Sequence, residues 1–344
     1  MKALVHTAPY ILEYTDWPKP EAGPEDLLVR VRACAICGSD IKGYSGSTGR
    51  RQPPIIMGHE AAGVVESVGD KVVGFGPGDR VTFDSTIYCR MCYFCQTGHP
   101  NLCDNREVVG VSEGTYRRHG AMAEYVTIPY WIAVKMPDNL TFAQAALVET
   151  ASVGVHAANR TPLKLNDTVV IVGAGGVGLV ALQAMRLKGA GKLIVTDLSP
   201  SRLEMARTMG ADVTVPADAP DMMEQLRAAT GPRGADAALE AVGVQATFET
   251  ALEITRKGGS VTLIGNVAPQ ISMALQSVVS REITLYGVCA NNGEIPDCVE
   301  LIASGKLNIE PFISEYASIE DGQAVFDRLY KGVEGNIRTV FLFD

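Results

Sequence analysis

The chain has 344 residues, enough for two domains with separate cores, and 47% of them are hydrophobic against 20% charged. A formal charge of −9 argues against a nucleic-acid reader, which needs a basic footprint, and no block of like charge marks a tail. The opening MKALVHTAPYILEY lacks the long apolar core of a signal peptide, and the most apolar window, residues 169–185, carries a glycine fingerprint rather than a membrane span. A cytoplasmic protein is expected.

The first 150 residues read as β-rich and turn-rich. Strands are expected at Leu27–Arg32, Ala61–Val68, Arg80–Phe83 and Ala121–Ile128, with Gly74–Asp79 as a turn. After the first of these, Cys34-Ala35-Ile36-Cys37-Gly38-Ser39-Asp40 leads into a short helix, where Ser39 has the bland reading of an N-cap. Gly58-His59-Glu60 follows the apolar run Ile55-Ile56-Met57. Four of the eight cysteines form Cys89-x2-Cys92-x2-Cys95-x7-Cys103. Neighbours that close bridge poorly, whereas four thiolates converge readily on one tetrahedral ion. Without a secretion signal, structural zinc is the expected occupant, with an iron–sulfur cluster as the rival. Cys34, Cys289 and Cys298 read as buried, reduced thiols, and His6, His99, His119 and His156 as structural or exposed.

Near Leu140 the texture changes. Thr141 can cap a helix through Phe142, Ala145, Ala146 and Leu147, and Glu149 stands at the domain boundary. After Asp167 strands and helices alternate: strands end near Val172, Thr196, Val215, Glu240 and Ile264, and helices begin near Val177, Ser201, Asp221 and Gln245. Such units build an α/β, doubly wound parallel sheet. In the first unit, Gly173-Ala174-Gly175-Gly176-Val177-Gly178 fits G-x-G-x-x-G between a buried strand and a helix, where unpaired N–H groups meet a pyrophosphate. The next strand ends in Asp197, placed to take ribose hydroxyls and to repel a 2′-phosphate, which predicts NAD over NADP, with a flavin as the other Rossmann ligand. Arg202 sits near enough to reach the adenosine or to be a helix-surface charge, and Val242 and Gly265 are further candidate coenzyme contacts. A last strand is expected at Arg281–Val288, then helical segments at Glu294–Ser304 and Ile319–Tyr330, and a strand at Ile337–Phe343.

Taken together, Cys37-Gly-Ser-Asp, Gly58-His59-Glu60, the four-cysteine lobe and Gly173–Gly178 with Asp197 resemble a zinc-dependent medium-chain dehydrogenase, end to end. This is the superfamily of alcohol, sorbitol and threonine dehydrogenases. The resemblance implies a GroES-like catalytic domain over residues 1–150 with a structural zinc lobe at about 85–110, a Rossmann domain over 151–290, and a segment 291–344 packing back on the catalytic domain. It implies that Cys37 and His59 bind catalytic zinc and that Glu60 is a ligand or an exchangeable partner. Val148-Glu149-Thr150-Ala151-Ser152-Val153-Gly154 resembles the polyol branch's Glu-Pro-x-x-Val-Gly, with Thr150 replacing proline, so Glu149 is the expected third donor, directly or through water. Such a metal acidifies the substrate hydroxyl, Ser39 matches the family's serine or threonine that takes its proton and passes it to the coenzyme ribose, and hydride passes to NAD.

The implied activity is oxidation of a secondary alcohol, whether a polyol, a sugar alcohol or its phosphate. L-threonine 3-dehydrogenase activity is the alternative, and a non-catalytic dinucleotide-binding protein is the reading from another class. Two departures stand out. Lys42 occupies the place of the family's relay histidine, and Val288-Cys289-Ala290-Asn291-Asn292 replaces the Arg-Tyr pair of sorbitol dehydrogenases, though Asn291 and Asn292 could bond a polar substrate. The family forms dimers and tetramers, here with Glu282–Tyr286 as the candidate edge strand.

Overall fold

A computed structural model describes residues 1–113 and 116–344. The chain divides into two compact units: Met1–Glu149 with Ile295–Asp344, and Thr150–Glu294.

The first unit is built on a mixed sheet. Its strands run in the order Ala133–Lys135, Arg80–Phe83, Glu60–Val68, Asp26–Ala35, Arg338–Leu342 and Ile313–Ser318, with Tyr125–Pro129 also pairing to Asp26–Ala35. Side chains of alternate residues, among them Leu27, Val29, Val31, Phe83 and Phe341, fill one core with Tyr44 and Phe326. The register positions the chemistry. Ala35 lies opposite Glu60 on one side and Val340 on the other, and Ile36 N–H bonds the Thr339 carbonyl at 2.9 Å. Residues far apart in sequence, Cys37, Glu60 and Arg338, therefore gather at one end of adjacent strands. The cap read at Thr141 is present: its hydroxyl accepts from Gln144 N–H at 3.2 Å while Gln144 Oε1 accepts from Thr141 N–H at 3.0 Å.

The second unit is a parallel sheet. Its strands β1 (Thr168–Val172), β2 (Lys192–Asp197), β3 (Val213–Pro216), β4 (Ala235–Glu240), β5 (Thr255–Leu263) and β6 (Thr284–Gly287) lie in the order β3-β2-β1-β4-β5-β6. This is the doubly wound order, with its crevice at the carboxyl ends of β1 and β4. The central strand β1 is buried from Val169 to Val172, as its continuous apolar run requires.

Two expectations need correction. The strand expected from Ala121 starts only at Tyr125, because Ala121 and Met122 instead donate to the carbonyls of Gly58 and Met57, both at 2.9 Å. The strand expected from Arg281 starts at Thr284, after Glu282 turns through a φ of 50°. A 13-residue helix, Val148–Arg160, continues past the expected domain boundary, and Glu149 stands in its first turn.

Gly178 is a close-approach site: a Cβ there would lie 2.0 Å from the Gly173 carbonyl oxygen, whereas one at Gly175 would meet nothing within 4 Å. Gly178→Ala is therefore expected to lose about 1–3 kcal/mol by overpacking, and Gly175→Ala to match the parent, both read from the denaturation midpoint of the second unit.

Candidate zinc and dinucleotide sites

Cys37 is the N-cap of a short helix, Gly38–Tyr44, that leaves the end of the strand Asp26–Ala35. Ser39 is thus inside the helix, not its cap. Just before the neighbouring strand Glu60–Val68, Gly58 adopts a φ of +94°, open to glycine, and a Cβ there would strike Cys34 Sγ at 2.7 Å. That turn brings His59 and Glu60 inward, and the donor atoms of Cys37, His59 and Glu60 lie within 4.8 Å of one another. Glu149 is outside that trio, though buried, with its Oε1 accepting the Ser85 hydroxyl at 2.8 Å.

Two arginines that sequence reading missed complete the centre. Arg338 grips Glu60 through Nε at 2.9 Å and Nη2 at 3.2 Å, and Glu60 is only 1% exposed. Burial would lower the Arg338 pKa, but the Glu60 carboxylate overrides it and raises it. The available signal was a lone charge in an otherwise apolar terminal strand. Arg51 donates through Nη2 to Asp40 Oδ1 at 3.0 Å and to Ser39 Oγ at 3.2 Å. Asp40, quoted in its motif but given no role, is wholly buried, and its Oδ1 lies 3.4 Å from His59 Nδ1, an ion-pair distance rather than a formed hydrogen bond. Burial alone would raise the Asp40 carboxyl, but His59 and Arg51 hold it well below the usual carboxylate range. His59 shows the converse: burial opposes its charge, and Asp40 raises it. A carboxylate behind a ligating imidazole fixes the ring and leaves Nε2 for a metal. Glu149 is pushed up to about 7 by burial, opposed by His59 and reinforced by Glu60. Lys42 is exposed on the same short helix as Ser39, with its pKa lowered by partial burial.

The cysteine lobe is a second cluster. Cys92 caps the turn Tyr93–Gln96, Cys103 caps the turn Pro100–Leu102, and the four sulfurs lie within 4.8 Å of one another without a disulfide. Backbone N–H groups of Cys89 and Asn105 point at Cys103 Sγ, both at 3.3 Å, and that of Cys92 points at Cys89 Sγ at 3.4 Å. N–H donors from Met91 and Cys92 bring the Cys89 thiol down to about 6. Four sulfurs so close, with donors aimed at them, fit a tetrahedral ion.

In the second unit, the structure gathers Gly173, Val242 and Gly265 at the carboxyl ends of β1, β4 and β5. Val242 Cγ2 would sit 2.5 Å from a Cβ on Gly173, and a Cβ on Gly265 would reach Gly243 N at 2.0 Å. Glu240 Oε1 accepts N–H bonds from Val242 at 2.9 Å and Gly243 at 2.7 Å, locking that loop. Gly175 caps the helix Gly176–Leu187, which carries Val177 and Gly178 in its first turn and faces open space suited to a pyrophosphate. Asp197 ends β2, with one oxygen accepting Ala174 N–H at 2.6 Å and the other Ser199 N–H at 2.9 Å. Arg202 lies half-buried in the helix Pro200–Thr208, just after β2.

Away from these sites, His156 is structural rather than exposed: its Nδ1 lies 2.8 Å from Glu294 Oε1, with both side chains buried. Asn291 is buried and accepts Gly293 N–H at 3.1 Å, and Asn292 N–H is taken by Glu294 Oε2 at 2.5 Å, so both are engaged within the loop that precedes the helix Ile295–Ala303. No disulfide joins cysteines among the described residues; Cys34 and Cys298 are buried and Cys289 half-buried.

Comparison with known proteins gives the same frame. The family model described as "Alcohol dehydrogenase GroES-like domain" matches residues 23–138, and "Zinc-binding dehydrogenase" matches residues 176–304. A sorbitol dehydrogenase of Bacillus subtilis strain 168 is 34% identical over 332 residues, covering 95% of this chain and 93% of that protein. An L-threonine 3-dehydrogenase of Alteromonas mediterranea is 33% identical over 94% of each. The crystal structure of a zinc-binding dehydrogenase from Sinorhizobium meliloti 1021, bound to NADP, superposes with a TM-score of 0.92 at 30% identity and 99% coverage of both chains. Zinc and a nicotinamide coenzyme are the cofactors of this family, and small-molecule alcohols are the substrates its members' names indicate. With both family models matched in order, the chain belongs to the zinc-dependent medium-chain dehydrogenases, in the branch of the polyol and threonine dehydrogenases.

Proposed function

We propose that this enzyme oxidises a secondary alcohol of the polyol, sugar-alcohol or sugar-alcohol phosphate class, with NAD as acceptor. The observation that carries the reading is the trio of half-buried Cys37 with buried His59 and Glu60, backed by Asp40 and Arg338. Cys37 and His59 would hold catalytic zinc. Glu60, tied twice to Arg338, suits an exchangeable partner, and Glu149, a buried carboxylate whose ionised form burial disfavours, suits the third donor. Cys89, Cys92, Cys95 and Cys103 would hold a structural zinc. Bound at the first site, zinc lowers the pKa of a substrate hydroxyl so that hydride can leave for nicotinamide. Ser39 relays the hydroxyl proton, accepting it on Oγ while its own hydroxyl proton passes on toward the coenzyme ribose, and Arg51 keeps that serine in place. Asp197 supports NAD, since a carboxylate at the end of β2 repels a 2′-phosphate. L-threonine oxidation is the second reading, favoured by the identity to a threonine dehydrogenase. No helix among the described residues is long and apolar enough to cross a membrane, and cysteines without disulfides suit the reducing cytoplasm.

A homodimer or homotetramer is proposed through the edge strand β6, whose end residues Thr284 and Gly287 are exposed. The segment before it in sequence exposes Val267, Ile271, Met273, Leu275 and Val279, with Leu275 and Val279 at 61% and 66%.

The parent protein is expected to reduce NAD faster than NADP with one alcohol of a panel of polyols, sugar phosphates, L-threonine and simple alcohols, and to carry about two zincs per chain. Cys37→Ser should abolish that turnover and bring the zinc content to about one. Turnover with NADP at or above NAD would overturn the coenzyme assignment.

In metal-free protein, the folded state holds a proton on Glu149 up to about pH 7, while the unfolded chain releases it near the ordinary 4.5. Folded stability then falls as pH rises between those two values, by about 3 kcal/mol in all, and Glu149→Gln should flatten that slope in urea titrations across the window.

Leu275→Glu combined with Val279→Glu is expected to shift the mass measured by light scattering to that of a monomer, with zinc content unchanged.

A further inference from the structure

We propose that Arg51 is a positioning residue of the alcohol-oxidising centre, a single terminal nitrogen orienting both the Ser39 hydroxyl and the Asp40 carboxylate behind His59. The inference rests on the function proposed above. Arg51 Nη2 carries two hydrogens and has two acceptors, Asp40 Oδ1 at 3.0 Å and Ser39 Oγ at 3.2 Å. The Arg51 side chain is 5% exposed and that of Asp40 is fully buried. Arg51 Nε is buried without a hydrogen-bond partner among the described residues, an arrangement that costs stability and that folding alone does not call for.

The backbone makes room for it. A Cβ at Gly43, in the last turn of the helix that carries Ser39 and Asp40, would lie 2.3 Å from Arg51 Cγ. The stem of Arg51 therefore crosses the helix where the side chain is missing.

The consequences follow from donor counting. Asp40 is held from two sides, by Arg51 on Oδ1 and by the Cys37 N–H on Oδ2 at 3.3 Å, so the oxygen facing His59 Nδ1 cannot swing away. Ser39 Oγ has one lone pair filled by a guanidinium that can never accept a hydrogen. That leaves the serine its O–H and second lone pair for a relay. A lysine would keep the charge and a donor but lose the rigid planar guanidinium that fixes where Nη2 sits between the two acceptors.

Three variants test this: Arg51→Met, Arg51→Lys and Gly43→Ala, which displaces the stem without removing the charge. The readouts are kcat and KM for the accepted alcohol, and the rate at which a chelator strips zinc from the catalytic site, with retention of the lobe zinc as the control for folding. Arg51→Met should lower kcat by about 10–100-fold and speed catalytic zinc release by a similar factor, with little change in KM and the lobe zinc retained. Arg51→Lys should recover part of both losses, and Gly43→Ala should move in the direction of the Met variant. Parent-like kcat and zinc release in Arg51→Met would overturn the proposal, as would loss of both zincs together in every Arg51 variant with Gly43→Ala unchanged. If Arg51→Met does not fold, Gly43→Ala decides alone. If the parent oxidises no alcohol, the proposed function fails, while the comparison of zinc release still decides the role of Arg51.

Discussion

The paired strands Asp26–Ala35, Glu60–Val68 and Arg338–Leu342 impose the constraint on which the first unit depends. With Ala35 opposite both Glu60 and Val340, the register fixes where the cysteine helix begins and which terminal residue meets Glu60. A one-residue slip would turn Glu60 and Arg338 to the other face and expose their charges to the wrong surroundings. The Glu60–Arg338 pair in turn makes such a slip costly, since separating a buried pair leaves two uncompensated charges, a loss of roughly 3–5 kcal/mol. The C-terminal strand is thereby part of the centre as well as of the sheet.

In the second unit the corresponding constraint is close approach of backbones. Gly178 lets its helix lie against the Gly173 carbonyl, and the Val242 and Gly265 loops touch at distances that leave no space for a Cβ. The Asp197 carboxylate then ties the glycine turn to the end of β2 through the Ala174 N–H. The loops lining the crevice are held by backbone contacts and by two acids, Glu240 and Asp197, rather than by a large apolar cluster. Rigid loops of this kind present N–H groups to a pyrophosphate without reordering when it binds.

What was legible in the sequence was what is encoded within a few residues. The glycine turn, the spacing of Cys89, Cys92, Cys95 and Cys103, the Thr141 cap and the alternation of strands and helices each need only local chain, and each element formed near its expected place. The centre's supports were not legible, because Arg338 meets Glu60 across 278 positions and Arg51 meets Asp40 across 11, through a loop with no periodic signal. The helix Val148–Arg160 was hidden for another reason. Its Thr150, Ser152, Val153, Gly154 and Val155 are poor helix formers, and Gly154 is there because Val180 of the packed helix lies 2.6 Å from where a Cβ would be. Tertiary packing overrides propensity at that point.

Charge accounting links these supports to the metal chemistry proposed for the site. Three buried carboxylates surround Cys37 and His59. Asp40 is matched by Arg51, and Glu60 by Arg338. Each arginine cancels the charge of its acid, so neither acid draws on a bound cation for its own stability. Glu149 is different: it takes a neutral Ser85 hydroxyl, and burial pushes its carboxyl up to about 7. A dication in reach of Cys37 and His59 would supply the charge that Glu149 needs to ionise, and a thiolate, a neutral imidazole and one carboxylate would bring the set close to neutrality. A near-neutral centre inside a buried site can acidify a substrate hydroxyl without holding the resulting oxygen so tightly that the product fails to leave. The two arginines are then what keeps Asp40 and Glu60 from adding charge to that set.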